Sequence, residues 1–218
     1  MKQELIFLGP PACGKGTQTD KLSKFLGFPH VDTGSLLRAE IAKETEEGKI
    51  AKSFIDKGQL VPVDLVGKII AKKLAGYDCK NGYVLDGYPR SLEQAKMLEK
   101  INSEIDSEKV DFKAIYFDID TQILIERIIY RQSCPICGEI YNKKFKPSIV
   151  EGKCDKCNVD LVTRADDNEE IAKARFATYF EQTAPLIKFY EDKEVLYKID
   201  ANGSIDEVWK RLLEVINK

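Results

Sequence analysis

Two sets of residues in this chain have the types and spacing that do chemistry. The first is Gly9-Pro10-Pro11-Ala12-Cys13-Gly14-Lys15-Gly16-Thr17, a G-x-x-x-x-G-K run. A tight loop of this kind turns backbone N–H groups inward onto an anion. The helix that follows offers its positive end, and Lys15 adds a mobile charge for β- and γ-phosphates. Glycine at 14 and 16 keeps side chains out of the phosphates' way. The general motif holds Mg²⁺ with a Ser or Thr directly after the lysine. Here Gly16 stands there and Thr17 follows one place later, a spelling that excludes many GTPases and motor-type ATPases.

The second set is Cys134-Pro135-Ile136-Cys137 and Cys154-Asp155-Lys156-Cys157, a C-x2-C pair repeated after 16 residues. Four thiolates at this spacing suit tetrahedral Zn²⁺, with iron open on spacing alone. Four protein ligands leave no open position, so the metal's role is structural. The two remaining cysteines, Cys13 and Cys79, receive no catalytic role. The single histidine, His30, reads as a structural residue at a strand end. Arg38, Arg90, Arg127, Arg131, Arg164 and Arg175 suit forked contacts to phosphate oxygens. Asp86 ends the apolar run Tyr83-Val84-Leu85 and is placed to face Mg²⁺ through water.

These residues need a scaffold, and the hydrophobic pattern supplies one. Short β-type runs fall at Glu4 to Leu8, Phe28 to Val31, Tyr83 to Asp86, Ala114 to Ile119 and Val195 to Asp200. Helical patterns lie between them. Lys15 to Leu26 puts Leu22, Phe25 and Leu26 on one face, and Val63 to Leu74 places Leu65, Val66, Ile69, Ile70 and Leu74 at helical spacing. Ser91 to Gln94 and Ser204 to Glu207 read as capping boxes opening two more helices. Alternating strands and helices predict a five-stranded parallel sheet covered on both faces. Two stretches break the alternation. Asp32 to Val61 reads as a helical insertion punctuated by Gly48 and Gly58, and Gln132 to about Arg164 as a small metal-stabilised module.

The chain has 218 residues, 43% of them apolar and 32% charged, which argues against a disordered chain. A net charge of −2 gives no global field for nucleic acid, so local groups must hold any anion. The apolar run before Gly9 and Pro10 is too short for a secretory leader, and no stretch is long enough to span a bilayer. A cytoplasmic monomer acting on small molecules is expected.

Further motifs carry a resemblance along essentially the whole chain. The G-K-G-T spelling is usual in nucleoside monophosphate kinases. His30-Val31-Asp32-Thr33-Gly34-Ser35-Leu36-Leu37-Arg38, Asp86-Gly87-Tyr88-Pro89-Arg90 and Thr163-Arg164-Ala165-Asp166-Asp167 with Arg175 resemble adenylate kinase segments. The cysteine-bearing module resembles the zinc-binding long lid of the bacterial members. The resemblance implies a P-loop nucleoside monophosphate kinase fold. Its core would comprise residues 1–31, 62–130 and 165–218, with an NMP-binding insertion at 32–61 and a zinc-binding lid at 131–164. It implies Mg²⁺-dependent, reversible phosphoryl transfer from ATP to AMP, giving two ADP.

Ala12, Cys13, Gly14, Lys15, Gly16 and Thr17 would cradle the ATP phosphates. Arg127 and Gly203 would lie by the ATP base, Ile140 and Tyr141 beside the nucleotide, and Arg131 near its phosphates. Thr33, Arg38, Gln59, Leu60, Val61, Gly87, Tyr88, Pro89, Arg90 and Gln94 would bind AMP, with Gln94 reading the adenine edge and Arg164 and Arg175 also holding its phosphate. Lys15, Arg90, Arg131, Arg164 and Arg175 would act on the transferring group. The sequence departs from the pattern at Ser35, where the family usually has Asp, and at Ala12, where it usually has Gly. Altered affinity, not lost chemistry, is expected from both. GTP:AMP transfer or another monophosphate kinase is the alternative within this class. A zinc-ribbon nucleic-acid-binding ATPase is the alternative outside it, weakened by acidic residues that offset the module's lysines.

Overall fold

The computed structural model describes residues 2–105 and 110–217. Residues 1, 106–109 and 218, all within the expected core stretches, lie outside the described residues. In chain order the elements begin β1 (Lys2–Leu8), α1 (Lys15–Leu26), β2 (His30–Asp32), α2 (Thr33–Ala42) and α3 (Glu46–Ile55). Then follow α4 (Val63–Leu74), β3 (Gly82–Asp86), α5 (Leu92–Ile105), β4 (Val110–Asp118) and α6 (Leu124–Ile129). The chain continues through β5 (Arg131–Ser133), β6 (Ile140–Asn142) and α7 (Glu169–Thr178). A π turn (Tyr179–Thr183), α8 (Pro185–Glu191), β7 (Leu196–Asp200) and α9 (Ile205–Ile216) complete it.

Five strands form one sheet in the order β2-β3-β1-β4-β7, and every pairing is parallel. The period-two alternation of a strand divides the core between the sheet's faces. Leu5, Phe7 and Val84 join one cluster with Leu22, Ile128 and Leu212, while Ile6, Leu8, Tyr83 and Leu85 join the other with Ile70, Leu98 and Tyr190. Helices therefore cover both faces, as parallel sheets require. The ends of β1, β2 and β3 open onto one cleft, with Asp32 directly opposite Asp86 in the β2–β3 register.

The expected strands are all present with shifted ends, and β4 starts four residues earlier than the pattern suggested. Ser204 and Glu207 form a complete capping box on α9. The box at α5 is half made: Gln94 N–H donates to Ser91 Oγ, but the Gln94 side chain accepts from Arg90 N–H instead. On α1 the expected face is incomplete. Leu22 is fully buried, whereas Phe25 is 61% exposed and meets Trp209 edge-on at 5.7 Å. Gly48 does not punctuate the insertion. It lies inside α3, where a Cβ would meet the Glu40 carbonyl oxygen of α2 at 2.2 Å, so it permits the two helices to touch. Gly58 does end the helical stretch, with φ at +68°.

The cysteine-bearing stretch has a small core of its own. Strands β5 and β6 pair antiparallel, and Tyr141, Leu161, Cys134 and Cys154 make a separate core. That core is too small to hold the unit without a staple.

Candidate active site

A single cleft of about 1270 Å³ runs between the sheet's carboxyl end, the helical insertion and the cysteine-bearing unit. One drug-sized ligand occupies roughly 300–1000 Å³, so this cleft has room for two nucleotides.

One end is the loop between β1 and α1. It reverses through positive φ at Gly9 (+148°), Ala12 (+62°) and Gly14 (+99°). Ala12 is the one non-glycine among these, and its methyl group costs about 1–2 kcal/mol in the left-handed region. The first turn of α1 has no side-chain cap and no acidic residue, which leaves its N–H groups free for an anion. Lys15 Nζ donates to the carbonyls of Gly9 and Pro10, both at 2.8 Å, and lies 3.3 Å from Cys13 Sγ. Cys13 is buried beneath the loop.

Asp86 stands beside this loop, its Oδ2 3.3 Å from where a Cβ on Gly16 would be. A larger residue at 16 would crowd the carboxylate. Burial alone would push the Asp86 carboxyl up, but its contact with His30 and the charges of Lys15 and Arg90 hold it below the usual range. His30 is gripped by Asp20 at 2.6 Å and Asp86 at 3.6 Å. Burial opposes its protonation, yet the two carboxylates raise it to about 10. It is therefore a fixed cation at neutral pH, in keeping with a structural role.

The opposite end lies against the insertion. Asp32 caps α2, accepting from Gly34 N–H at 2.9 Å and from the Ser35 hydroxyl. Arg38 reaches Ser35 Oγ at 3.2 Å and Asp32 Oδ2 at 3.4 Å. Asp32 thus supplies the carboxylate that Ser35 lacks. The Thr33 hydroxyl is buried without a hydrogen-bond partner, and Thr33 is among the residues lining the cleft. Arg90 is pinned on three sides. Its Nε donates to Gly87 O at 2.8 Å, its N–H donates to Gln94 Oε1 at 2.7 Å, and its carbonyl accepts from Thr183 Oγ1 at 2.7 Å. Gly87 sits at φ +79°, which strains any residue with a side chain, and a Cβ there would also lie 2.8 Å from the Arg90 guanidinium.

Between the two ends stand Arg131, Arg164 and Arg175. Arg131 makes a two-pronged contact with the buried Asp167, including Nε to Oδ2 at 2.7 Å. Arg175 lies 3.5 Å from both Asp166 and Asp167, and one of its nitrogens is buried without a hydrogen bond. Burial, followed by the like charges of Arg131 and Arg38, lowers Arg164 to about 10. Burial with Arg131 and Arg90 does the same to Arg175. Both stay charged at neutral pH and are short of counter-charge, which is the electrostatic condition of a site built for phosphate.

The cleft gathers nearly all of the expected site residues. Ala12 to Thr17, Thr33, Arg38, Gln59, Leu60, Val61, Gly87, Pro89, Arg90, Gln94, Arg127, Arg131, Ile140, Tyr141, Arg164, Arg175 and Gly203 line it. Tyr88 does not, because its ring is fully buried in the core. Tyr141 touches the cleft wall, but its ring is buried in the cysteine unit and its hydroxyl is committed there. The sequence reading assigned no role to Asp32, Asp167, Thr178, Thr183 or Phe145. The adjacency of Asp166-Asp167 to Arg164 was the available signal for Asp167. Phe145 carries the Arg127 guanidinium 5.7 Å above its ring.

The four expected metal ligands converge, with all sulfurs within 4.8 Å of one another. Zn–S bonds of about 2.3 Å set tetrahedral sulfurs about 3.8 Å apart, and Cys137 and Cys154 are 3.6 Å apart, too far for a disulfide. The two knuckles repeat one geometry. Gly138 N–H donates to Cys134 O at 3.1 Å, and Asn158 N–H donates to Cys154 O at 2.8 Å. Gly138 and Asn158 both sit at positive φ. Tyr141 hydroxyl accepts from Asp155 N–H at 2.9 Å and lies 3.6 Å from Cys154 Sγ. This donor set fits a structural zinc ion.

Known proteins resemble this chain along nearly its whole length. The family model described as adenylate kinase matches residues 7–195. An adenylate kinase of Archaeoglobus fulgidus is 41% identical over 214 residues, 98% of both chains. One from Thermodesulfovibrio yellowstonii is 42% identical over 98% of this chain and 99% of its own. One from Thermosipho melanesiensis is 39% identical over the same shares.

Proposed function

The chain belongs to the adenylate kinase family, and from that premise we propose how its cleft moves the terminal phosphoryl group of ATP reversibly onto AMP. The loop at Ala12 to Thr17 holds the ATP phosphates through backbone N–H groups and Lys15. The ATP base lies by Arg127 and Gly203, against the backbone of Ile140 and Tyr141. AMP lies across the cleft, with Thr33, Gln59, Leu60, Val61, Gly87, Pro89 and Gln94 about its nucleoside. Arg38 and Arg90 hold its phosphate. Arg131, Arg164 and Arg175 surround the passing group.

The attacking AMP oxygen is already ionised near neutral pH, so no general base is needed. The work is alignment and cancellation of negative charge. Asp86 is placed to orient the waters of Mg²⁺, which supplies further charge neutralisation across the ATP phosphates when bound. Residues 32–61 and 131–164 act as the two moving parts over a core formed by the rest. Closing both excludes water, which would otherwise take the phosphoryl group. Cys134, Cys137, Cys154 and Cys157 would hold a structural zinc ion, which would stiffen the second of them.

The observation that carries this reading is the crowd of undercompensated arginines set between a phosphate loop and the buried, unpartnered Thr33 hydroxyl. A monomer is proposed, since the residues assigned here to both nucleotides and to the transfer all belong to this chain. Thiolates serving as metal ligands call for a reducing compartment, and the cytoplasm is proposed on that ground.

The test is to incubate the protein with Mg-ATP and, separately, AMP, CMP, UMP and GMP, then resolve the nucleotides by chromatography. ADP should form fast with AMP, and ADP alone should give ATP and AMP. ATP hydrolysis without transfer to any monophosphate would refute the assignment.

A further inference from the structure

The three-sided grip on Arg90 ends in a residue outside the cleft's motifs. Helix α7 carries Arg175 and then, in place of another α-turn, the π turn Tyr179–Thr183, closed by Ala184 N–H donating to Tyr179 O at 2.8 Å. Its two flanking threonines each hold a backbone carbonyl. Thr178 Oγ1 donates to Gly58 O at 3.1 Å, where the helical insertion rejoins the core. The buried Thr183 Oγ1 donates to Arg90 O at 2.7 Å. On an α-helix, residues five apart point about 140° away from each other. A π turn bonds i to i+5 and brings such residues back towards one side. Gly58 is pressed against the same helix, for a Cβ there would lie 3.0 Å from Ala174 and 3.2 Å from Arg175.

We propose that Thr183 is a positioning residue for the transfer to AMP, acting through the Arg90 backbone. In this arrangement the π turn aims Thr183 at Arg90 while Thr178 anchors the end of the insertion. One irregular turn thereby sets the spacing among Arg90, Arg175 and the AMP-side lobe. The inference rests on the placement of Arg90 at the AMP phosphate.

Thr183→Val keeps the shape and removes the donor, leaving the Arg90 carbonyl without that hydrogen bond. That change should lower kcat/KM for AMP about tenfold, while KM for ATP stays within about twofold. Thr183→Ser, which restores the hydroxyl, should recover activity to within about threefold of the parent. In an Arg90→Lys background, Thr183→Val should cost less than about twofold more, because both changes remove one device. Thr178→Val, at a half-buried position, should raise KM for AMP about fivefold and leave kcat nearly unchanged.

A full additional tenfold loss in the Arg90→Lys background would overturn the inference. So would equal losses on the ATP and AMP sides that Thr183→Ser fails to rescue. If the unmodified chain moved no phosphoryl group to AMP, the functional reading itself would fall. An active parent indifferent to Thr183→Val would overturn this inference alone.

Discussion

Gly48→Ala sets two principles against each other. Gly48 lies in the first turns of α3, at helical φ, where alanine is the better helix former by about 1 kcal/mol. Propensity alone therefore makes the substitution stabilising. The packing says the reverse. The new methyl group would lie 2.2 Å from Glu40 O, 2.5 Å from Glu40 C and 2.8 Å from Ile41 N, all backbone atoms of α2. No rotamer change can relieve that, so the helices must part by about 1 Å to reach ordinary contact. Overpacking of this kind costs about 3 kcal/mol at the upper end of its range. The net is about 2 kcal/mol of destabilisation, which lowers Tm by about 4–8 °C in a chain of this size. The damage should also be one-sided. Thr33 and Arg38 ride on α2 and Gln59 follows α3, so KM for AMP should rise several-fold while KM for ATP stays within about twofold. Thermal unfolding and initial rates with each nucleotide varied in turn decide it. A variant more stable than the parent with unchanged KM for AMP would refute the steric reasoning.

Three other outcomes follow from the site. Asp167→Asn removes the buried counter-charge of Arg131 and Arg175; it should cost about 3 kcal/mol, and a nucleotide should raise the variant's Tm by more than the parent's. Equal nucleotide shifts would show that those arginines do not feel the phosphates. Cys154→Ser should abolish binding of one zinc equivalent in a colorimetric release assay and expose residues 131–164 to protease, while the sheet core keeps its protection. His30 is raised in the folded state to about 10 from an unfolded value near 6.5, so its ion pairs stabilise fully below pH 6.5 and are lost as pH rises through 10. His30→Gln should therefore flatten the fall in stability between those pH values, and an unchanged profile would remove His30 from that account.

How much of this was legible beforehand depended on whether the signal was contiguous. The phosphate loop could be read because strand, glycines, lysine and helix follow one another within a few residues, and the cysteine knuckles for the same reason. The methyl group of Ala12 stands out in the phosphate loop, and it does occupy a left-handed position. Whatever depended on a distant partner stayed hidden. Gly48 looks like a break in one dimension and is a helix–helix contact in three. Tyr88 sits inside a cleft motif, yet the chain turns its ring into the core. Phe25 keeps helical spacing with Leu22 but lies beyond the buried stripe of α1 and rests on Trp209. Thr178 and Thr183, five apart, read as opposite faces of one helix until the π turn realigns them. Asp32 shows the limit of position-by-position comparison. Ser35 suggests a missing charge, while a carboxylate three residues earlier already holds Arg38.

The charges themselves explain why the arginines are divided among separate parts of the fold. Arg131 and Arg164 bracket the cysteine unit, Arg38 belongs to the helical insertion, and Arg90 and Arg175 belong to the core. Arg164 feels both Arg131 and Arg38 as repulsion, and Arg175 feels Arg131 and Arg90. Asp166 and Asp167 offset only part of this. Without nucleotides, bringing the parts together raises the energy of uncancelled positive charge in a site losing water. On the proposed function, the phosphates of ATP and AMP together would cancel more of it than those of either nucleotide alone. On that proposal closure would be favoured most with both substrates bound, the condition in which excluding water protects the phosphoryl group instead of trapping an idle one.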